Sequence, residues 1–438
     1  MLQVPPSALS IIKPPQSYGR GGDAILLKEL QRGEAAESTM SNEQVLILGG
    51  GLMGLAIAHQ LARRGRCVTV LSRRRNEAAG FVAAGMLAPH AEGLRGELLQ
   101  LGQLSLERIP RWVAQIEADS GLPCGLRATG IVVPFLDAKE RDCYPTAAFG
   151  EALNRERLEQ LLPGIAPAWQ AGLLFDQDGQ IDNRRQLMRS LESACVDRGV
   201  NFQEGVEVLD VLQRDGRLHG VQTRDSEGQL ATLECTTAVL CSGAWSAQLL
   251  PELPVFPVKG QMVSLQTPRG ALKHVIFGPG TYLVPREDGL VVVGATSEPE
   301  AGFKEGLTPQ GQQHLNQGIA ALLPEAVNWP PMERWWGFRP CTPDEGPLLG
   351  EGPIKGLWLA CGHHRNGVLL AAITTELLAD AITGHATTCE AKELLNAFRW
   401  DRFRDDMIQN KAPEKSSRGQ AGLQPIKRKS DQPSTRQP

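Results

Sequence analysis

The chain reads as an α/β protein, a doubly wound nucleotide-binding domain of Rossmann type carrying an inserted antiparallel-sheet domain. Three observations predict this. A glycine turn sits between an apolar strand and a helix at Val45 to Arg64. Further short apolar strands, each followed by small residues and a helical stretch, recur later in the chain. Between them lie strand-like segments with hairpin chemistry.

Taken in order, residues 1–42 are rich in Pro, Gly, Ser and Glu without apolar periodicity, and are expected to be a disordered extension. The first strand is Val45-Leu46-Ile47-Leu48. The turn Gly49-Gly50-Gly51-Leu52-Met53-Gly54 follows, then a helix from Leu55 to Arg64 and a second strand, Cys67 to Leu71. A helix around Asn183 to Arg198 leads into Val200-Asn201-Phe202 and then Val206 to Leu212. Ala238-Val239-Leu240-Cys241 ends at Ser242-Gly243-Ala244-Trp245, and Leu357 to Cys361 precedes a glycine turn and a helix from Val368 to Thr383. These pieces fit one parallel sheet with helices on both faces.

Arg127 to Phe135, Val255 to Gln266 and Tyr282 to Ala295 are strand-like instead. Arg286-Glu287-Asp288-Gly289 separates Tyr282-Leu283-Val284-Pro285 from Leu290-Val291-Val292-Val293, a hairpin signal. The order implies a nucleotide domain built from residues 43–100, 180–250 and 337–405, and an antiparallel domain built from 101–179 and 251–336. Residues 411–438 read as a disordered basic tail of net charge +5, leaving −9 on the remainder of the chain. A body that acidic argues against a nucleic-acid surface. No apolar run reaches membrane-spanning length: Val368 to Ile382 carries Glu376 and Asp380. The nine cysteines form no C-x-x-C pair, which suggests reduced thiols, no zinc and a cytoplasmic location.

Gly49, Gly51 and Gly54 match G-x-G-x-x-G, the turn that brings a dinucleotide pyrophosphate onto a helix N-terminus. The residue closing the second strand is Ser72 rather than the acid that commonly grips an adenosine ribose, and Arg73, Arg74 and Arg75 follow. The three arginines could hold the 2′-phosphate of NADP or could be a solvated loop. Ala83 to Glu92 is small and glycine-containing, so its backbone could run close along a flat ring.

Gly49–Gly54, Ala84-Gly85-Met86-Leu87 and Ser242-Gly243-Ala244-Trp245-Ser246 resemble the D-amino acid oxidase family of flavoproteins. Tyr282 to Arg286, Trp336 to Thr342 and Gly362 to Leu370 are similar to the branch of that family that oxidises glycine in the making of the thiamine thiazole. The resemblance covers residues 43–405 and implies a D-amino acid oxidase-like fold: an FAD-binding domain with an inserted substrate domain. It also implies cofactor contacts from Gly49, Gly51, Leu52, Met53 and Gly54 at the pyrophosphate, and from Ser72 and Arg73 at the ribose. Ala84, Gly85 and Met86 would lie along the flavin, Val208 at the adenine, and His363, His364, Arg365, Asn366, Gly367, Val368 and Leu369 at the isoalloxazine edge. Arg339 would meet the substrate carboxylate, with Tyr282 and Arg365 beside it.

The chemistry of these residue types agrees. An arginine fork meets a carboxylate bidentately and stays charged when buried, and Arg339 lies among Trp335, Trp336 and Pro340. The helix after Asn366-Gly367 would turn its positive end toward the ring. His363 and His364 are expected to be structural or ring-contacting, and no residue is assigned as a catalytic acid or base. A relative in the family tethers its flavin through a cysteine, but the corresponding position falls near Gly337, so non-covalent FAD is expected. The reaction implied is oxidation of glycine to glyoxylate, ammonia and hydrogen peroxide, with glycine and oxygen as small-molecule partners and handover to a thiazole synthase. Sarcosine, a D-amino acid or a modified tRNA base remain as alternative substrates, a non-catalytic NADP-binding protein as an alternative class, and a homo-oligomer stays open.

Overall fold

The computed structural model describes residues 44–386 and 388–403. The expected extension at 1–42 and the basic tail at 411–438 lie outside the described residues. At the centre is a six-stranded sheet in the order 348–351, 357–361, 237–240, 45–48, 68–72, 201–204. Its pairs are parallel except for the edge strand Leu348–Glu351, which runs antiparallel to Leu357–Cys361. Val45–Leu48 is buried at every position, as a strand covered on both faces must be.

One face is covered by helices, as expected. Val45 and Ile47 pack into a core with the helices Leu52–Arg63, Gly96–Ser120, Met188–Asp197 and Gly367–Thr383. The other face departs from the expectation of helices on both sides. Leu46, Leu48 and Leu71 pack against Val211, Leu218 and Val221 of a three-stranded antiparallel sheet, Glu207–Arg214, Arg217–Arg224 and Leu230–Glu234. The physical reason lies at Gly205, whose positive φ turns the chain after Asn201–Glu204 out of the parallel sheet. Val206 to Leu212 therefore belongs to a separate layer.

The inserted domain is an eight-stranded sheet in the order 331–341, 256–266, 290–294, 281–285, 275–278, 131–135, 171–175, 151–154. The hairpin expected at Arg286–Gly289 joins Thr281–Pro285 to Leu290–Gly294. Every pair in this sheet is antiparallel except one: Val275–Gly278 runs parallel to Ile131–Phe135, with Val275 opposite Ile131. That pair is the seam between the two insertions. Two expected boundaries move. Gly96–Ser120 packs through Leu101, Ile109, Trp112 and Ile116 into the nucleotide-domain core, because its apolar stripe matches the helical layer. Pro331–Cys341 is one continuous strand paired to Phe256–Gln266, so residues 337–341 belong to the inserted sheet.

Candidate active site

The carboxyl ends of the parallel strands and the inner face of the eight-stranded sheet enclose a cavity of about 580 Å³. Parallel α/β sheets bind ligands at this end of their strands. The cavity has a nucleotide end and a buried charged end.

At the first end, the glycine turn is built by contact. Gly54 lies so close to Gly49 that a Cβ there would sit 1.9 Å from the Gly49 carbonyl oxygen. Gly49 has φ +125°, and a Cβ on it would sit 2.5 Å from the Cys241 carbonyl oxygen. The helix Leu52–Arg63 starts here without a side-chain cap and without an acid in its first turn. Gly49, Gly51, Leu52 and Met53 line the cavity. Uncapped N–H groups at a positive helix end suit an anionic diphosphate. Gly54 itself stands behind the turn and does not line the cavity.

Ser72 is buried beside Gly50 and lines the cavity, as do Arg73 and Val208. The arginine run is neutralised. Arg73 pairs with Glu207 at 3.0 Å and Glu77 at 3.5 Å, Arg74 with Glu77 at 2.9 Å, and Arg75 with Glu192 at 2.7 Å and Glu204 at 3.1 Å. The 2′-phosphate reading of this run loses its basis, since each guanidinium already has a carboxylate. Acids 117, 129 and 134 residues further along supply three of these partners, which the local sequence did not reveal.

Ala84, Gly85 and Met86 line the cavity wall. Gly85 is glycine for a reason other than a flat ring. It has φ +77°, and a Cβ would sit 2.1 Å from the Ile181 carbonyl oxygen, where the Met86–Leu87 strand meets Gly179–Ile181. Buried Arg286 holds this segment by donating to the Ala84 carbonyl.

At the other end, Arg339 is partly buried and donates from Nη1 to the Thr296 carbonyl at 3.1 Å. It also interacts with the Tyr282 hydroxyl. Among the described residues no carboxylate lies within ion-pair distance of it. Burial pulls its pKa down, and burial pushes that of Tyr282 up. Two strand glycines make the space. A Cβ on Gly260 would sit 2.2 Å from Arg339 Nη1, and one on Gly294 would sit 2.4 Å from the Tyr282 hydroxyl. A glycine inside a strand signals such close approach, so Gly260 and Gly294 were legible signs that sequence reasoning passed over.

His363, His364, Arg365, Gly367 and Val368 line the same end, whereas Asn366 and Leu369 are buried behind it. Burial holds His363 down to about 3, and its Nε2 lies 3.1 Å from Thr374 Oγ1. His364 is also pushed down by burial, and its backbone N–H donates to the Pro340 carbonyl at 2.7 Å. Neutral, packed imidazoles agree with a structural or contacting part. Arg365 is 44% exposed at its side chain and lies 4.0 Å from Glu92. Glu92, a buried carboxylate on the cavity wall, had not been singled out from the sequence. Its only signal was an acid within an otherwise small and apolar segment.

The profile of the DAO family, described as FAD dependent oxidoreductase, matches residues 44–381. The chain is 42% identical over 371 residues to a bifunctional protein ThiO/ThiG of Synechocystis sp., covering 83% of this chain and 54% of that protein. It therefore spans about half the length of the ThiO/ThiG relatives it matches. It is 30% identical to a glycine oxidase of Pseudomonas aeruginosa, covering 78% of this chain and 95% of that protein. The crystal structure of glycine oxidase from Geobacillus kaustophilus superposes with a TM-score of 0.75 at 29% identity, covering 82% of this chain and 99% of that one. With an uncapped glycine turn at one end of its cavity and a family match that runs through both domains, the chain belongs to the D-amino acid oxidase family of FAD-dependent oxidoreductases.

Proposed function

We propose that this protein oxidises glycine, with water and oxygen, to glyoxylate, ammonia and hydrogen peroxide. The observation that carries this reading is Arg339: a partly buried guanidinium facing the cavity with no carboxylate among the described residues to pair with it. Burying an unpaired cation is costly, and a substrate carboxylate would relieve it. Arg339 would take that carboxylate through its planar fork, and the Tyr282 hydroxyl would donate to the same group. Arg365, at the wetter edge, would close over it. FAD, when bound, would supply the two-electron oxidation with oxygen as the final acceptor. The helix Gly367–Thr383, whose first turn carries no acid, would favour negative charge at the adjacent ring edge.

FAD is proposed to be non-covalent. The thiols in the cavity wall are Cys241 and Cys361, and burial pushes Cys361 up to about 12, far from the reactive thiolate. Cys341 points to the Thr342 carbonyl. We place the protein in the cytoplasm, which fits nine free cysteines, and among the described residues no helix is long and apolar enough to cross a membrane. The ThiO/ThiG relatives support handover of the product to a thiazole synthase.

The test is a visible spectrum of the purified protein before and after glycine in the absence of oxygen. Flavin bands that bleach support the reading. Bands that ignore glycine while responding to sarcosine or D-alanine would move the substrate within the class. Bands that ignore all three would reject it.

A further inference from the structure

The cavity holds a second buried group that its carboxylate clamp leaves unused. Glu92 has a side chain 6% exposed, lines the cavity and has no hydrogen-bond partner for Oε2. Its nearest cation, Arg365 Nε, is 4.0 Å away, at the limit of an ion pair. We propose that Glu92 receives the amino group of the substrate, so that the pocket is a two-ended receptor, with Arg339 for the carboxylate and Glu92 for the amine. This rests on the glycine-oxidase reading above and adds to it the residue that separates an amino acid from a plain carboxylic acid.

The surroundings fit a fixed receptor. The loop carrying Glu92 is fastened from below: Asp178 accepts from the backbone N–H of Ala91 at 2.7 Å and of His90 at 3.2 Å. Tyr144 donates to the Ala91 carbonyl at 2.6 Å, and Thr146 donates to the His90 carbonyl at 2.6 Å. A side chain on so anchored a segment gains little freedom by leaving the cavity. The charge pattern also fits. Arg365 and Arg339 favour the charged form of Glu92, Glu345 and Asp178 oppose it, and Tyr144 and Tyr282 are the other ionisable groups that feel it. Burial pushes the Glu92 carboxyl up to about 7, because no fixed partner compensates its lost hydration. A substrate ammonium would supply that compensation. When the ammonium proton passes to Glu92, one N–H bond breaks, one O–H bond forms, and the amine is left with the lone pair its oxidation requires.

The experiment compares two ligands on the holoprotein. Acetate, which shares only the carboxylate, is titrated by the change in the flavin spectrum. Glycine is measured by rapid mixing without oxygen, where the concentration dependence of bleaching gives its dissociation constant. In Glu92→Gln, glycine should weaken about thirty-fold or more, the loss expected when one member of a buried charge pair is removed. Acetate should change less than about three-fold. A second measurement needs no variant. In the unmodified protein, the preference for glycine over acetate should fall as the pH drops from about 8 to about 6, as Glu92 becomes neutral. A flat preference, equal losses for both ligands in Glu92→Gln, or no loss for glycine would each overturn the assignment. An unmodified protein that binds acetate but never bleaches with glycine would instead defeat the oxidase reading.

Discussion

The two ends of the cavity handle positive charge in opposite ways. At the nucleotide end, three consecutive arginines are all paired, through Glu77, Glu192, Glu204 and Glu207. An anion would meet backbone there: Gly49, Gly51 and the uncapped start of Leu52–Arg63. At the charged end the reverse holds. Among the described residues, Arg339 is partly buried without an acid, and the Glu92 side chain is buried without a close base. Charge spent inside the protein is silent, whereas charge left over in a cavity is addressed to a ligand. The count of arginines in a segment therefore says less about binding than whether each has a partner.

The largest expected effect tests the unpaired end. Arg339→Ala should keep FAD yet lose about 2–5 kcal/mol of acetate binding, read from flavin spectral titration. Arg339→Lys should recover little of it, since a point charge cannot reproduce the planar fork. Acetate affinity that survives in Arg339→Ala would mean that Arg365 is the true clamp. The backbone end should break next. Gly54→Ala drives a methyl group into the Gly49 carbonyl and should cost about 1–3 kcal/mol of stability together with FAD occupancy. Melting temperature and the ratio of flavin to protein absorbance measure both.

Much of this comparison was legible beforehand, and unevenly so. The glycine turn, the hairpin at Arg286–Gly289 and the carboxylate candidates Arg339 and Tyr282 all sit on local signals. The pairing of Arg73 and Arg75 was hidden, because Glu192, Glu204 and Glu207 lie more than a hundred residues away in sequence. The antiparallel layer over the parallel sheet was hidden for a related reason. Val206 to Leu212 has the same apolar character in either sheet, and only the turn at Gly205 decides between them. Glu92 escaped because a lone acid among small residues carries no periodicity.

A smaller effect concerns stability. The carboxyl of Glu92 is raised from 4.5 to about 7, so its contribution to stability is present below pH 4.5 and lost as the pH rises through about 7. In the absence of substrate, Glu92→Gln should then melt higher than the parent at pH above that range, by up to about 3 kcal/mol, and equally with it in acid. Equal melting at all pH values would mean that Glu92 is already compensated. The smallest effect falls on Ser72. Ser72→Glu should tighten FAD by about 1 kcal/mol if the ribose lies beside it, since hydrogen bonds to a charged acceptor exceed those to a hydroxyl. Weaker flavin retention during dialysis would place the ribose elsewhere.

The seam between Ile131 and Val275 bears on how this chain is made. As the protein leaves the ribosome, the strands at 131–135 and 171–175 emerge long before their partner at 275–278, and Val45–Leu48 waits for Thr237–Leu240. Neither sheet can close on the first half of the chain. Such long-range pairings slow folding and leave strand edges open in the meantime. A nascent chain halted before residue 237 would expose Val45–Leu48 as an apolar edge, a natural target for a chaperone and a poor place to divide the protein into fragments.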